Sequence, residues 1–288
     1  MTDGPRIPVD LEGVPETLLW TLYYRAHEAA RPDAVITDPV AIELVGRIDY
    51  PFEERLGRGS RRGQWQALRA RTFDDQVRRH LAAHPGATVV ALGEGLETQF
   101  WRVDDGRVHW IGVDLPETAD LRRAVLPGHD RRRHVDASVL DDGWLREVVA
   151  SDARDVLVTA QGLLMYLPRE RVHDLLTRCA RALPGSRMLF DGVPRWTSAA
   201  TKRTAAVAAA APPGALVPPP MPWAMDAREA RALRALPGVL AVARLHPPRG
   251  RGPLFGVVLP ALERAPVLRG ALLSVWGVRL SAEAGDRT

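Results

Sequence analysis

The stretch from Val89 to Arg102, VVALGEGLETQFWR, decides how the whole chain is read. Its four opening apolar residues suit a short buried strand, Gly93 and Gly95 bracket a tight turn, and an amphipathic segment follows from Leu96 to Arg102. A strand, a glycine turn and a helix in that order expose backbone at one end of a sheet, where a ligand can approach closely. Glu94, at the apex of the turn, sets the question of which ligand such a turn tolerates.

The same alternation continues on the C-terminal side. VHWIGVD (Val108 to Asp114), RRHVD (Arg132 to Asp136), RDVLVTAQG (Arg154 to Gly162) and SRMLFDGV (Ser186 to Val193) read as strands. Helical patterns separate them: one from Pro116, GWLREVVA, and PRERVHDLLTRCARAL. Short apolar runs alternating with amphipathic helices are what a parallel sheet covered on both faces requires. Right-handed crossovers then give a doubly wound α/β sheet with a crevice at the C-terminal ends of its strands.

On the N-terminal side the pattern is helical: Pro15 to Ala30, a helix opened by Asp38-Pro39, and Gly63 to His84 closed by Pro85-Gly86. After Val193 the regularity fails in an alanine- and proline-rich segment. A helix near Asp226 to Leu236 and the runs VLAVARL and VWGVRL follow it. The division predicted is a helical cap over 1–84, an α/β core over 85–193, a lid or insert over 194–225, and a return to the core over 226–288.

Composition narrows the function. The 288 residues are 46% hydrophobic and 26% charged, as in a soluble globular protein. No apolar run reaches the roughly 18 residues of a membrane span, and MTDGPRIPVD is not a secretory leader, so a cytoplasmic protein without a membrane partner is expected. The single cysteine, Cys179, excludes internal disulfides and cysteine metal clusters, and reads as a buried helix residue; no metal is expected. The net charge of +4 comes almost wholly from arginines interleaved with carboxylates, Lys202 being the only lysine. That is a mixed-sign surface, not a nucleic-acid face.

Each of the first four core strands ends in a residue with something to offer: Gly93-Glu94-Gly95, Asp114, Asp136 and Gln161. Neighbours on one sheet edge, they outline a nucleoside-sized crevice. A dinucleotide would want G-x-G-x-x-G, yet the third glycine position is Thr98, and Glu94 or Glu97 would repel a pyrophosphate. A cationic cofactor without phosphate suits the turn better, which points to S-adenosylmethionine.

With VVALGEGLETQFWRV, VHWIGVDLPE and VLVTAQGLLMYLP in place, together with YYRAHEAARPDAVITDPVA and ALRARTFDD upstream and PWAMDAREARAL downstream, the chain resembles the leucine carboxyl methyltransferase family. Within it, the resemblance is to the bacterial polyketide-type O-methyltransferases, and it covers roughly Pro15 to Leu236. It implies a class I, Rossmann-like fold with a mostly parallel seven-stranded sheet, and S-adenosylmethionine as cofactor. Carried over residue by residue, it implies that Gly93 and Gly95 admit the methionine part of the cofactor. Asp114, followed by Leu115, would accept from the ribose, and Asp136 with the backbone of Ala137 would meet the adenine. Arg69 would hold the cofactor carboxylate, with Gln161 lining the pocket.

The chain departs from that family's L-G-x-G-L-D-T-R and E-G-L-L-M-Y-L patterns. Glu94 stands at a position usually small, the D-T-R becomes Glu97-Thr98-Gln99, and the glutamate becomes Gln161. If Gln99 and Gln161 face each other, an ion pair has become an amide pair with neither charge stranded. Glu94 would either pair with the cofactor's cationic groups or crowd its carboxylate. On the first helix Tyr23, Arg25 and His27 are pocket candidates, as are Tyr166 after the fourth strand and Trp196 and Trp223 around the Ala/Pro segment. A carboxylate acceptor needs no general base, whereas a phenol would, and His27 is the only candidate for one. The function expected is O-methylation of a carboxylate, less readily a phenol, on a bulky aromatic small molecule. The alternative is the same fold turned to a non-methylating reaction such as cyclisation, or to ligand binding alone.

Overall fold

The structure is a computed structural model and describes residues 6–9, 11, 13–57, 61–206, 217–265 and 269–281. Its centre is a seven-stranded sheet. In chain order the strands are β1 (Thr88–Leu92), β2 (His109–Asp114), β3 (Arg132–Asp136), β4 (Leu157–Ala160), β5 (Arg187–Gly192), β6 (Val239–Leu245) and β7 (Ser274–Leu280). Their order in space is β3-β2-β1-β4-β5-β7-β6. The first five run parallel, and β7 inserts antiparallel between β5 and β6. The strand order reverses between β1 and β4, which puts the ligand crevice beside the turn after β1.

β1 is buried along its whole length. Its alternation divides the core: Val90 and Leu92 pack on one face with Trp144, Leu176 and Phe190, while Val89 and Ala91 pack on the other with Phe73, Val77 and Phe100. Burial of each such aliphatic side chain stabilises the fold by roughly 1.5–3 kcal/mol. The helices α6 (Pro116–Val125), α7 (Gly143–Ala150), α8 (Arg169–Ala182) and α10 (Ala227–Arg234) fall where the pattern places them. Cys179 is fully buried on α8, and burial pushes its thiol up to about 12, so it is a core residue.

Upstream lie α1 (Thr17–Ala29), α2 (Pro39–Arg47), α3 (Phe52–Leu56) and α4 (Arg61–Ala83). Asp38 caps α2 by accepting from Ala41 N at 3.1 Å. The first three helices share a core of Leu19, Leu22, Leu44 and Phe52. α4 does more than cap: Phe73, Val77 and Leu81 pack directly on the sheet. It crosses α1 at Gly63, where a Cβ would stand 3.0 Å from the Tyr24 carbonyl oxygen.

Two expectations change. The helix after the glycine turn, α5 (Gln99–Val103), starts three residues later than its apolar pattern. The Asp114 carboxylate accepts from Gly95 N, and the Glu97 carboxylate from Thr98 N, so these amides are satisfied outside a helix. The segment expected as an irregular lid begins with a helix, α9 (Arg195–Ala206), whose alanines favour that state. Its residues 207–216 lie outside the described residues. A further helix, α11 (Leu259–Arg264), was not legible in the sequence.

Candidate active site

A cavity of about 370 Å³ opens at the C-terminal ends of β1, β2 and β4, within the roughly 300–1,000 Å³ of small-molecule sites. Gly93 and Gly95 form its floor with φ of +57° and +52°. A side chain at Gly93 would be strained, and its Cβ would come within 2.8 Å of Leu163 Cδ1. Asp114 closes the next side: Oδ2 accepts from Gly95 N at 2.7 Å and Oδ1 from Leu115 N at 2.9 Å. Burial raises its pKa, against the pull of those two amides. Leu115 projects half-exposed at the rim, and Ala137, Ser138, Val139 and Leu140 complete that wall.

Opposite them stands Arg69 of α4. Its Nη1 donates to Asp191 Oδ2 at 2.7 Å, and Asp191 Oδ1 accepts from Gly162 N at 2.6 Å. Asp191 thereby fixes both Arg69 and the turn after β4. Arg69 Nε is buried and makes no hydrogen bond among the described residues. Gln161 Nε2 donates to Glu97 Oε2 at 2.6 Å, which leaves Gln161 Oε1 buried and equally unmatched. Among the lining residues, the Arg69 guanidinium stands on one side and the Glu97 carboxylate with the Gln161 amide on another. Together these suit an amino-acid zwitterion.

The turn itself rests on two buried charge clusters. Around Glu97, Arg25 Nη1 lies at 3.1 Å and Arg102 Nη1 at 2.7 Å. Arg25 Nε also pairs with Asp38 at 2.8 Å, and Arg102 Nε with Asp74 at 2.8 Å. Burial alone would raise the Glu97 pKa, but the Arg25 and Arg102 charges hold it at about 2. Around Glu94, Trp110 Nε1 and Arg132 Nη2 each donate at 2.9 Å, and Arg122 Nη2 stands 2.9 Å away as an ion pair. Arg122 is buried enough to be pulled down to about 10.

The predicted site residues therefore separate. Arg69, Gly93, Gly95, Asp114, Leu115, Ala137, Gln161 and Tyr166 line the cavity as expected. Glu94 borders it with backbone only. Its carboxylate neither meets nor crowds a ligand, because two arginines and Trp110 hold it under the turn. Asp136 is not in the lining: Arg123 takes both its oxygens, at 2.8 and 2.7 Å. Gln99 and Gln161 do not pair; Gln99 donates to Asp74 Oδ1 at 2.9 Å, and Arg102, which binds both Asp74 and Glu97, links the two amides.

On α1 the pocket candidates turn inward. Tyr23 donates to the Gly57 carbonyl and stacks on Phe52, Arg25 ties α1 to the glycine turn, and half-buried His27 packs beside Tyr23. It is Thr17, Leu18 and Thr21 that face the cavity, on the other side of that helix. Trp223 is core, donating to Glu229 and packing on Phe190, while Trp196 is 62% exposed and lies away from this cavity. Asp191 was missed, although it is the next-to-last residue of β5, on the same sheet edge as the other candidates.

A second cavity, of about 570 Å³, adjoins the first. Thr17, Thr21, Arg69, Gly162 and Tyr166 line both. Its remaining wall is largely apolar and aromatic, with Trp20, Tyr24, Trp65, Met165 and Met221, and Arg62 adds a cation.

Known proteins resemble this chain in sequence. The chain is 39% identical over 190 residues to the tetracenomycin polyketide synthesis O-methyltransferase TcmP of Streptomyces glaucescens, covering 66% of this chain and 69% of that protein. It is 34% identical over 184 residues to the S-adenosyl-L-methionine-dependent methyltransferase dpfgK of Gibberella zeae, covering 59% and 61%. Residues 19–180, from the first turn of α1 almost to the end of α8, match the family description leucine carboxyl methyltransferase, and the chain belongs to that family.

Proposed function

We propose that the chain is an S-adenosylmethionine-dependent O-methyltransferase that esterifies the carboxylate of a bulky aromatic small molecule. The observation that carries this reading is the junction of the two cavities at Arg69, Gly162 and Tyr166. One chamber suits a nucleoside with an amino-acid tail, and the other suits an aromatic body. When bound, S-adenosylmethionine supplies a methyl group carried on a sulfonium.

The residues present fit that cofactor. Of the lining side chains, Arg69 would hold the carboxylate, and Glu97 with Gln161 the ammonium. Asp114 keeps lone pairs for the ribose hydroxyls after accepting from Gly95 N and Leu115 N. Leu115 and Val139 to Leu140 offer apolar surface to the adenine. Glu94, whose intrusion would have favoured a scaffold that no longer binds the donor, is buried beneath the turn instead.

On the acceptor side, the lining among the described residues contains no histidine. Its one carboxylate, Asp191, is committed to Arg69 and Gly162. Burial raises the Tyr166 pKa, so that phenol is no base. A nucleophile that is already an anion at neutral pH suits such a wall, and a carboxylate is one. Arg62 at the mouth attracts it, and orientation of two bound reactants can contribute roughly 7–11 kcal/mol.

The test is calorimetry with S-adenosylmethionine, followed by mass spectrometry after incubation with polycyclic aromatic acids and the matching phenols. Binding that Arg69→Ala weakens by about tenfold or more, methyl esters and released S-adenosylhomocysteine are expected. Methyl ethers in place of esters would move the acceptor to phenols, and failure to bind the cofactor would end the reading.

A further inference from the structure

A third cavity, of about 480 Å³, lies beyond the acceptor chamber. Trp65 and Leu273 line both and form the partition between them. Its wall is largely apolar, with Leu68, Trp196, Phe255, Leu259, Pro260 and Leu272, and Arg249 and Arg264 add cations. The exposed Trp196, which the sequence singles out for an aromatic ligand, stands here, fixed by its Nε1 donating to the Ala271 carbonyl at 2.9 Å. The carboxylate in this wall, Glu263, is withdrawn: Arg244 holds it at 2.6 Å, and His246 lies 3.4 Å away.

One helix runs past all three chambers. On α4, Arg69 reaches the cofactor and acceptor cavities, Trp65 the acceptor and third cavities, and Leu68 the third cavity. Spacings of three and four residues put these side chains on one face. The third cavity therefore continues the acceptor path in the direction away from the methyl donor. Its lining is mostly hydrocarbon, with His246, Arg249 and Arg264 as the polar residues besides Glu263, so most of an occupant's surface would meet apolar side chains.

We propose that the third cavity is the distal part of the acceptor site, that it takes the far rings of an elongated polycyclic carboxylic acid, and that Trp65 and Leu273 form the neck through which such a molecule passes. This extends the acceptor reading above and rests on it. Acceptors short enough to end at Trp65 use the second cavity alone. Longer ones gain contact with Trp196, Phe255 and Leu259, so the third cavity sets preference by length.

Two probes separate these cases: 2-naphthoate, which fits the second cavity, and pyrene-1-butyrate, whose flexible arm carries four fused rings farther from the carboxylate. Calorimetry on the full chain gives both affinities. Two substitutions, Leu259→Trp and Ala271→Trp, fill the third cavity from opposite sides, and neither residue touches the other two. Each is expected to weaken pyrene-1-butyrate about tenfold and to leave 2-naphthoate unchanged, which also shows that the variant is folded. Equal pyrene-1-butyrate affinity in both variants and the parent overturns the proposal, as does its failure to bind the parent. Val193→Trp, which fills the second cavity, tells the two readings apart. If it releases both probes, the acceptor reading stands and the filled-cavity variants judge the extension. If pyrene-1-butyrate survives it but is lost in Leu259→Trp, the third cavity binds on its own, and the extension is overturned.

Discussion

Glu94 and Glu97 are three residues apart on one turn, the first buried and the second mostly so, yet they do opposite work. Glu94 is the anion buried between two buried guanidinium groups, Arg122 and Arg132, beneath β2. Glu97 belongs to a cluster with charge to spare, in which Asp38, Asp74 and Glu97 face Arg25 and Arg102. Its carboxylate reaches the cavity wall, where Gln161 leans on it. One glutamate therefore supports the turn, while the other also addresses whatever the turn holds. The difference comes from where the partner arginines originate and owes nothing to the glutamates themselves.

Neutralising each carboxylate in turn separates the two roles. Glu94→Gln strands Arg122 and Arg132 without the anion that compensates their burial, and a loss of about 3–5 kcal/mol in urea denaturation is expected. A loss no larger than that of Glu97→Gln would show that the two clusters are equivalent. Glu97→Gln leaves two carboxylates against two arginines, so a smaller cost, about 1 kcal/mol, is expected. Its main effect falls on the ligand. Gln161 loses the charged acceptor that orients it, the cofactor's ammonium loses a facing anion, and S-adenosylmethionine affinity by calorimetry should drop about tenfold, or roughly 1.4 kcal/mol. Folded Glu94→Gln should keep that affinity within about twofold.

Acid should dismantle the two clusters in different windows. His134, beside Arg132 and Glu94, is held down to about 4 by burial and by the Arg132 charge, against an ordinary 6.5. Between those values the unfolded chain takes up a proton that the folded chain refuses. The stability from this neutral imidazole is whole above pH 6.5 and is lost as pH falls toward 4. His80, lowered mainly by burial, acts in the same direction. Glu97, held at about 2 against an ordinary 4.5, contributes stability that is whole above pH 4.5 and drains away toward pH 2. Denaturation midpoints followed from pH 7 to 3 should therefore fall in two stages. His134→Gln should flatten part of the upper stage and leave the lower; an unaltered upper slope would remove His134 from the account.

How far the sequence could be read follows from the range of the interactions involved. The alternation of strands and helices, the glycine turn and the strand-end residues Asp114 and Gln161 were legible, because strand alternation and glycine backbone freedom are local signals; the order of the strands in space was not read. α9 was hidden by the prolines after it, which made an alanine-rich stretch look irregular. The direction in which Glu94 points was not legible at all, since Trp110, Arg122 and Arg132 approach it from three later elements. The room it occupies depends on Gly112, where a Cβ would overlap the Glu94 carboxylate and the His134 ring. On α1, helical spacing correctly groups Tyr23 with His27, but it cannot say which face meets the cavity. Gln99, where the resemblance implies an arginine, looked like a change shared with Gln161. Spatially, Arg102 supplies a guanidinium one turn later, so the cluster keeps its charge.

The smallest effect separates another pair of neighbours. Asp114 and Asp136 end adjacent strands and sit opposite each other in the ladder. A row of strand-end carboxylates suggests that both contact the nucleoside. The Asp114 side chain borders the cavity, whereas the Asp136 side chain is 38% exposed and clamped by Arg123. Any contact with adenine on this side must pass to the backbone and apolar side chains from Ala137 to Leu140. Asp136→Asn should therefore change S-adenosylmethionine affinity by less than about twofold (under about 0.4 kcal/mol), while Asp114→Asn weakens it clearly in the same titration. Equal losses would mean that Arg123 releases Asp136 when the cofactor enters. The surface pair would then be part of the site, and the rule drawn from the two glutamates, that the partner arginine decides the role, would fail at its weakest link.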